Sequence, residues 1–379
     1  MKKKGIFFIS FVLILSLVLV AGCSQPEPAG ESQAETIKIG TVGPLSGDYA
    51  TYGRSVKQGV EIAIEEINEA GGINGQQLEL IPEDTEGKQE GAASAVQKLV
   101  DQDKVVAIVG AVLSGETMTG APFADEAEVP IISPSSTAPG IPDIGPYVFR
   151  NVISDDVQSA QMAAYAVEEL GLKRLAVLYT NNDYGVALKE GFVAKAEDLG
   201  AEVVAVESFL DGDENFNAQI TKIAQQNPEA LYIGGYYTEA AKIAQQAARQ
   251  GLDVQLLGAD GFYSSKLTEL GGDAVEGALF TASFFSGDPS EEVQKFVKAY
   301  QEKFGETPDM FAANAYDTMK IIAQAIEEAG TDGPALRDAI HATKDYPGIT
   351  GSTSFTENGD VVKEIVVIKV ENGQFTRVR

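Results

Sequence analysis

The sequence is poor in the side chains that metal sites and thiol enzymes need. It has one cysteine, one histidine and no tryptophan among its 379 residues. One cysteine cannot form a disulfide within the chain, and one histidine leaves few ways to bind a transition metal. A Ser-His-Asp enzyme would have to use His341, which lies in a mixed, acidic helical stretch and fits a surface residue better than a catalytic base. We expect no metal, no cofactor and no enzyme activity.

Basic residues are also scarce. The chain has 28 lysines and arginines against 56 aspartates and glutamates, a net charge of −28. Sequence-independent binding of nucleic acid needs a basic surface, so nucleic acid is not an expected partner. The G-x-S-x-G and G-x-x-x-x-G-K-[ST] motifs are absent. Residues 211–217 (DGDENFN) approach a calcium-loop pattern, but the sixth position is not glycine and Lys222 occupies the twelfth. A turn at the start of a helix fits them better.

The N-terminus has the pattern of a secretory signal. Lys2, Lys3 and Lys4 precede an apolar stretch over 5–21, and Val20-Ala21-Gly22-Cys23 resembles a bacterial lipobox. We predict a signal peptide over 1–22, lipidation of Cys23, and a flexible polar tether over 23–35. The alternative is an uncleaved membrane helix with an incidental cysteine. The lipoprotein interpretation is favoured because the chain's one cysteine stands at this position.

These N-terminal features predict where the protein resides. The mature protein would be exported and lipid-anchored to the cell membrane, facing the periplasm or exterior. Two acyl chains on Cys23 would give a stable anchor, which one chain would not. Loss of the signal would remove three lysines and no acid, changing the net charge from −28 to −31. We expect a monomer whose acidic surface serves solubility.

From Ile37 onward, short apolar runs alternate with amphipathic stretches. Repeated β-α-β units predict parallel sheets with right-handed crossovers, and about nine strands favour two lobes. Three consecutive helices are predicted over 290–304, 309–329 and 334–343, and a late strand over 363–370. The remaining strands are predicted at 37–43, 77–81, 105–111, 130–133, 174–180, 201–209, 230–236 and 254–260. The helices between them are predicted at 51–70, 88–102, 116–128, 156–170, 185–199, 216–227 and 238–250.

Polar residues follow several predicted strands at the point where parallel sheets bind ligands. Ser114, with Ser135 and Thr137, could donate to a carboxylate near a helix N-terminus. In the other half, Asp260 could bind an ammonium group, supported by Tyr236. Taken singly, Ser114 could be a helix cap, Asp260 a turn residue, and Tyr236 a half-buried tyrosine at a sheet end. Together they have the polarity of an α-amino acid.

The chain also resembles a known family over most of its length. The similarity is carried by IKIGTVGPLSGDYATYG (37–53), VGAVLSGET (109–117), ISPSSTAP (132–139) and GADG (258–261), in this order. Together these segments resemble the leucine/isoleucine/valine-binding proteins of ABC importers. The resemblance implies an α/β fold, the type I periplasmic-binding-protein fold. It would have two Rossmann-like lobes with parallel central sheets, joined by three hinge crossovers. The N-terminal lobe would comprise 36–153 plus 284–347, and the C-terminal lobe 154–283 plus 348–379.

The resemblance also implies roles for individual residues. The ligand carboxylate would be bound by Ser114, Ser135 and Thr137, and the ammonium group by Tyr236 and Asp260. The side-chain pocket would be formed by Tyr52, Val112 and Tyr184. Three positions depart from the family pattern: Asp260 replaces a glutamate, Leu113 a disulfide cysteine, and Ser159 a glycine.

The expected function is therefore binding of a small molecule for an ABC importer. The ligand would be an amino acid, most simply leucine, isoleucine or valine, bound between the lobes and delivered to the membrane subunits of the permease. Three alternatives stay open at this point. The same fold could bind another amino acid, an amide or a small aromatic acid; the protein could be a ligand-sensing receptor without transport; or it could be an envelope enzyme that depends on His341.

Overall fold

The computed structural model describes residues 36–378. The predicted signal peptide, Cys23 and the whole of the predicted tether lie outside these residues. In the part that is described, no helix combines the length and the apolar character that crossing a membrane requires.

Strands and helices alternate through most of the described chain, as the apolar periodicity predicts. The strands are β1 (Ile37–Gly43), β2 (Leu78–Asp84), β3 (Ala107–Gly110), β4 (Ile131–Ser133), β5 (Val148–Arg150), β6 (Arg174–Thr180), β7 (Glu202–Phe209), β8 (Ala230–Gly234), β9 (Gln255–Gly258), β10 (Leu279–Ala282), β11 (Tyr346–Gly348), β12 (Gly351–Phe355), β13 (Val361–Val362), β14 (Val366–Glu371) and β15 (Gln374–Arg377). The helices are α1 (Ala50–Glu69), α2 (Gln89–Lys98), α3 (Ser114–Glu126), α4 (Asp155–Ala164), α5 (Asp183–Asp198), α6 (Asn217–Ala224), α7 (Tyr237–Arg249), α8 (Ser265–Gly271), α9 (Glu291–Phe304), α10 (Met310–Ala329) and α11 (Gly333–His341). Single π-helical turns, Leu99–Asp103 and Tyr165–Glu169, extend α2 and α4.

The first sheet has five parallel strands in the order β2-β1-β3-β4-β5. Its inner strands β3 and β4 are buried at every position. Burial on both faces explains their short, continuous apolar sequences, because helices cover a parallel sheet on each side.

The second sheet has seven strands in the order β15-β14-β10-β9-β8-β6-β7. Strands β6 to β10 pair in parallel, whereas β14 pairs antiparallel with both β10 and β15. The predicted α/β class with parallel central sheets is confirmed. The late strand predicted at 363–370 corresponds to β14, but its antiparallel direction and β15 were not predicted, because local spacing does not record strand direction.

The chain passes between the two sheets at three places. It leaves the first sheet after β5, returns toward it after β10, and enters the second sheet again at β14. Helix α10 then packs on α1, where Tyr316 donates to Glu66 at 2.7 Å. The small sheet β11-β12-β13 lies beside β5, since Arg150 N donates to the Gly359 carbonyl at 3.2 Å. The lobe boundaries 36–153 plus 284–347 and 154–283 plus 348–379 stay a prediction.

Several elements differ from the sequence prediction at their ends or were missed. Helix α3 begins at Ser114 instead of 116, because Glu116 bends back and its carboxylate accepts the backbone N–H of Leu113 at 3.1 Å. Strands β5, β10, β11, β12, β13 and β15 and helix α8 were not predicted. Each has eight residues or fewer, so periodicity cannot separate it from a loop.

Candidate ligand-binding site

All eight residues predicted to bind a ligand line one small cavity. It comprises about 260 Å³ of space between the lining atoms, part of which is open to solvent. The predicted residues on its wall are Tyr52, Val112, Ser114, Ser135, Thr137, Tyr184, Tyr236 and Asp260, and the others are Leu113, Gly261 and Phe311. The structure thus brings together residues that are more than two hundred positions apart in sequence.

Topology explains why these residues meet. Ser114 follows β3 and Ser135 follows β4, at the carboxyl edge of the first sheet. Tyr236 follows β8 and Asp260 follows β9, at the carboxyl edge of the second. Because parallel strands end at the same edge, each sheet places its polar residues together, and the cavity lies where these two edges face each other.

Ser114 is oriented to donate its hydroxyl proton. It is the first residue of α3, and its Oγ accepts a hydrogen bond from the backbone N–H of Ala138 at 3.2 Å. That bond occupies an oxygen lone pair and leaves the hydroxyl proton for another acceptor. The unpaired N–H groups of the first turn of α3 add to this positive character, so the wall at Ser114 suits a carboxylate.

Ser135 and Thr137 differ from Ser114 in what they can offer. The Ser135 hydroxyl donates to the Val112 carbonyl at 2.8 Å, so toward the cavity its oxygen can only accept. Thr137 Oγ1 is buried and has no hydrogen-bond partner among the described residues. The same hydroxyl lies near the buried Asp155 carboxyl and lowers its pKa, so its proton can serve either that carboxyl or a ligand.

Asp260 provides a negative charge on the opposite wall. Its Oδ1 accepts from the Tyr184 hydroxyl at 2.7 Å, from Gln158 Nε2 at 3.0 Å and from the Gly261 N–H at 3.0 Å. No residue in the described part of the chain donates to Oδ2. Burial raises the pKa of Asp260 to about 6. The lining includes no lysine or arginine, so a ligand cation would be the natural partner of this carboxylate.

Aromatic side chains form the apolar part of the wall. Tyr236 stacks on Tyr184, with ring centroids 4.9 Å apart and planes 10° from parallel. Tyr52 packs against Phe311 with centroids 4.4 Å apart. These rings, with Val112, would contact the hydrocarbon part of a small ligand.

Tyr52 also joins the two sides of the cavity. Its hydroxyl donates to the Gly261 carbonyl and accepts from the Tyr237 N–H at 3.3 Å, although Tyr52 lies on α1 beside the first sheet. The Tyr237 hydroxyl in turn donates to the Asp48 carbonyl at 2.8 Å. The cavity is therefore closed over by contacts between the two halves.

Five residues at or behind the cavity were given no ligand-binding role from the sequence: Leu113, Gly261 and Phe311 on its wall, and Asp155 and Gln158 behind it. Phe311, the second residue of α10, carried no recognisable signal, whereas Gly261 belongs to the strand-end segment GADG (258–261). Asp155 and Gln158 lie one turn apart on α4, and the Gln158 amide donates to both Asp155 and Asp260 at 3.0 Å. Burial, and secondarily the charge of Asp260, raises the pKa of Asp155 well above its usual range. The Asp155-x-x-Gln158 spacing was the available signal, since it places both side chains on one helix face.

The alternative sites lie elsewhere. His341 is exposed, with Nε2 2.9 Å from the Glu357 carbonyl oxygen, and it is not part of the cavity wall. Asp211 accepts from the Asn182 amide at 2.9 and 3.0 Å, which ties the 211–217 loop to the start of α5. Within residues 36–378, no group of three or more histidine, cysteine, aspartate or glutamate side chains is placed to hold a metal ion.

Comparison with known proteins gives one consistent result. Residues 36–374 match the family model described as periplasmic binding protein. A leucine-, isoleucine-, valine-, threonine- and alanine-binding protein of Pseudomonas aeruginosa is 34% identical over 331 residues, which cover 86% of this chain and 88% of that protein.

Solved structures agree with the sequence comparison. The leucine-binding protein LivK from Thermotoga maritima is 36% identical with a TM-score of 0.86, and the match covers 91% of this chain and 98% of that one. The branched-chain amino acid transporter substrate-binding protein LivJ from Streptococcus pneumoniae, solved with isoleucine, is 34% identical with a TM-score of 0.86. That match covers 91% of this chain and 99% of the other.

Proposed function

The chain belongs to the Leu/Ile/Val-binding group of the periplasmic binding protein family, and on that premise we propose that it binds a branched-chain amino acid for an ABC importer. This is a family of transport-associated binding proteins and not of enzymes. The ligand would occupy the closed cavity, and the protein would deliver it to the permease subunits in the membrane.

The polarity of the cavity is the observation that carries this proposal. Ser114 and the start of α3 offer hydrogen-bond donors on one wall, and Asp260 offers a carboxylate on the other. A free α-amino acid carries its carboxylate and its ammonium on one carbon, so it can pair with both walls at once. A carboxylic acid without an amine would leave Asp260 buried and unpaired, which is costly.

Apolar contacts would supply the preference for a branched side chain. Val112, Phe311 and the stacked pair Tyr184 and Tyr236 surround the polar groups. The small volume and apolar rings favour a short hydrocarbon over a charged or long side chain. A ligand that contacts both halves would favour the closed arrangement, in which Tyr52 reaches Gly261.

The proposed location follows from the family and from the N-terminal sequence. We propose that the protein is extracytoplasmic, that its signal over 1–22 is removed, and that lipidated Cys23 anchors it to the membrane. The polar stretch 23–35 would then act as a tether that lets the binding domain reach the permease. A monomer suits this role, because each closed cavity is complete within one chain.

Calorimetric titration tests the ligand assignment. The protein, freed of bound ligand by dialysis, is titrated with leucine, isoleucine and valine, and its melting temperature is measured with each. We expect saturable heat and a higher melting temperature with at least one of them. Lysine and glutamate serve as controls, because their charged side chains do not fit an apolar pocket. Absence of both heat and thermal shift with all three branched-chain ligands would refute the assignment.

A further inference from the structure

Behind the cavity, one glutamine touches both buried carboxylates. Gln158 Nε2 donates to Asp155 Oδ1 and to Asp260 Oδ1, each at 3.0 Å. Its Oε1 accepts from the Thr281 hydroxyl at 2.8 Å and from the Asp260 N–H at 3.3 Å. The amide orientation is determined by these partners, because carboxylates accept and the Asp260 N–H donates. All four hydrogen-bonding positions of the amide are used.

These contacts determine which oxygen of the Asp260 carboxylate is available to a ligand. With Tyr184 and the Gly261 N–H, Gln158 concentrates the donors on Oδ1. Asp260 lies on the cavity wall, so Oδ2 is the oxygen left for a ligand donor. Without Gln158, the carboxylate could rotate away from the cavity or take up a proton, and either change would weaken its pairing with a ligand ammonium.

Gln158 also connects Asp260 to the place where the chain crosses between the sheets. A second, very small cavity is lined by Gln158, Asp260 and Thr281 together with Ile153, Ser283 and Ile365. Ile153, Ser283 and Ile365 each lie in a different crossover, after β5, after β10 and before β14. Thr281 lies on β10, just before the second crossover. The bridging amide therefore sits between the ligand cavity and the crossovers.

We propose that Gln158 is a positioning residue for the amine end of the ligand: it holds Asp260 ionised, with one oxygen turned toward the cavity, so that the site selects ligands carrying an ammonium group. This inference rests on the proposed function, because it assumes that the cavity binds an α-amino acid. Gln158 itself does not line the ligand cavity and acts through Asp260.

The titratable groups around Asp260 are consistent with this role. Asp155 faces it from α4 and Tyr184 from α5, while Tyr52 approaches from α1 and Tyr232 from β8. Burial raises the pKa of Asp260, and the hydrogen bonds from Tyr184 and Gln158 act in the opposite direction. Loss of Gln158 would therefore raise the pKa of Asp260 further and make the protonated, non-binding form more common.

Discrimination between two matched ligands tests the inference. Leucine and 4-methylpentanoate differ only in the amino group, and the ratio of their dissociation constants measures selection for the amine. We expect Gln158→Leu to reduce this ratio by at least about tenfold, because a hydrogen bond to a charged group is lost. Thr281→Val removes one donor to the Gln158 amide and should reduce the ratio less. If Gln158→Leu does not fold, the same ligand ratio can still be measured in Thr281→Val.

Gln246→Leu is the matched control. Gln246 is also a buried glutamine with bonds from both ends of its amide, accepting from the Phe216 N–H and donating to the Glu214 carbonyl, each at 2.8 Å. Its loss should lower the melting temperature and leave the ligand ratio unchanged within about twofold. If Gln158→Leu keeps the wild-type ratio, or weakens both ligands equally, the inference is wrong.

A second measurement decides the inference even if no amino acid binds. In the ligand-free protein, the ¹³C carboxyl resonance of Asp260 is followed from pH 4 to pH 8. We expect its midpoint to move to higher pH in Gln158→Leu and not in Gln246→Leu. An unchanged midpoint in Gln158→Leu would overturn the inference. Failure of leucine, isoleucine and valine to bind the wild-type protein would instead refute the proposed function.

Discussion

Arg150 and Asp360 form a two-point ion pair across 210 residues of sequence, with Nε–Oδ1 at 2.7 Å and Nη2–Oδ2 at 2.5 Å. Nη1 of the same guanidinium donates to the carbonyls of Thr137 and Ala138, each at 2.9 Å. The Ala138 N–H is the donor to Ser114 Oγ. The ion pair thus holds the segment that brings Thr137 and Ser114 to the cavity.

Breaking this ion pair should destabilise the protein. Asp360→Ala leaves the Arg150 guanidinium, 3% exposed at its side chain, without a carboxylate. We expect unfolding to become easier by about 3 kcal/mol, since an uncompensated buried charge is costly. Denaturant unfolding followed by circular dichroism measures the change. Glu371→Ala, which removes an exposed pair with Lys369, is the control and should change stability by less than about 1 kcal/mol. Equal effects of the two substitutions would contradict this prediction.

Ser114→Ala should weaken ligand binding, and it should also lower stability by about 1–3 kcal/mol, because the buried Ala138 N–H loses its acceptor. The substitution removes the hydroxyl proton proposed to reach the ligand carboxylate, so we expect the leucine dissociation constant to rise by about 10- to 100-fold. Ser135→Ala should have a smaller effect, because its proton is already donated to Val112. Calorimetry measures both variants. Ser94→Ala on the exposed face of α2 is the control, and a loss there as large as at Ser114 would argue against a direct contact.

Binding should weaken in acid. The ligand ammonium needs an ionised Asp260, and the pKa of this residue in the ligand-free protein is raised to about 6. Above that pH the Asp260 carboxylate is ionised and can pair with the ligand ammonium. Below that pH Asp260 must lose its proton before it can bind the ammonium. We expect the leucine dissociation constant to rise by up to about tenfold per pH unit below pH 6 and to level off above pH 7. Titrations from pH 4.5 to pH 8 measure this.

Asp260→Asn provides the comparison for that profile. It keeps the shape of the side chain and removes the titrating charge, so binding should be weak and nearly independent of pH. A variant that retains the wild-type slope would show that another group, such as Asp155, carries the pH dependence.

Cys23→Ser should abolish lipid attachment. The prediction rests on the lipobox-like sequence before Cys23, because this residue lies outside the described part of the chain. Metabolic labelling with a radioactive fatty acid should mark the wild-type protein and not the variant, and fractionation should move the variant away from membranes. Lipid on the serine variant would refute the predicted modification.

Periodicity predicted most of the fold correctly. Strand β6 was predicted with its observed bounds, and α1, α7 and α10 to within one residue at each end. These elements are long or fully buried on one face, so the apolar spacing alone identifies them. The small sheet β11-β12-β13 was not predicted because its strands have only two to five residues, too few for a periodic signal.

The location of the site could also be predicted to a large extent. Ser114, Ser135, Tyr236 and Asp260 follow buried strands, and a parallel sheet places strand ends at one edge. Tyr52 and Val112 came from the family resemblance, because neither has a distinctive local signal. Phe311 was not predicted as a site residue, because it reaches the cavity only through the packing of α10 on α1.

The sequence alone determined the α/β alternation and the polar character of the strand ends, and it predicts the signal and tether over 1–35. Each of these depends on local spacing and composition, and hydrophobic burial translates spacing directly into elements. The tertiary structure alone decided which hydroxyl protons are available, that Gln158 bridges Asp155 and Asp260, and that Arg150 meets Asp360. Several of these partners lie far apart in sequence: Gln158 and Asp260 are 102 residues apart, and Arg150 and Asp360 are 210 residues apart. The order of the strands in the sheets brings these partners together, and burial away from water raises the pKa values of Asp155 and Asp260. A local sequence pattern contains neither kind of information.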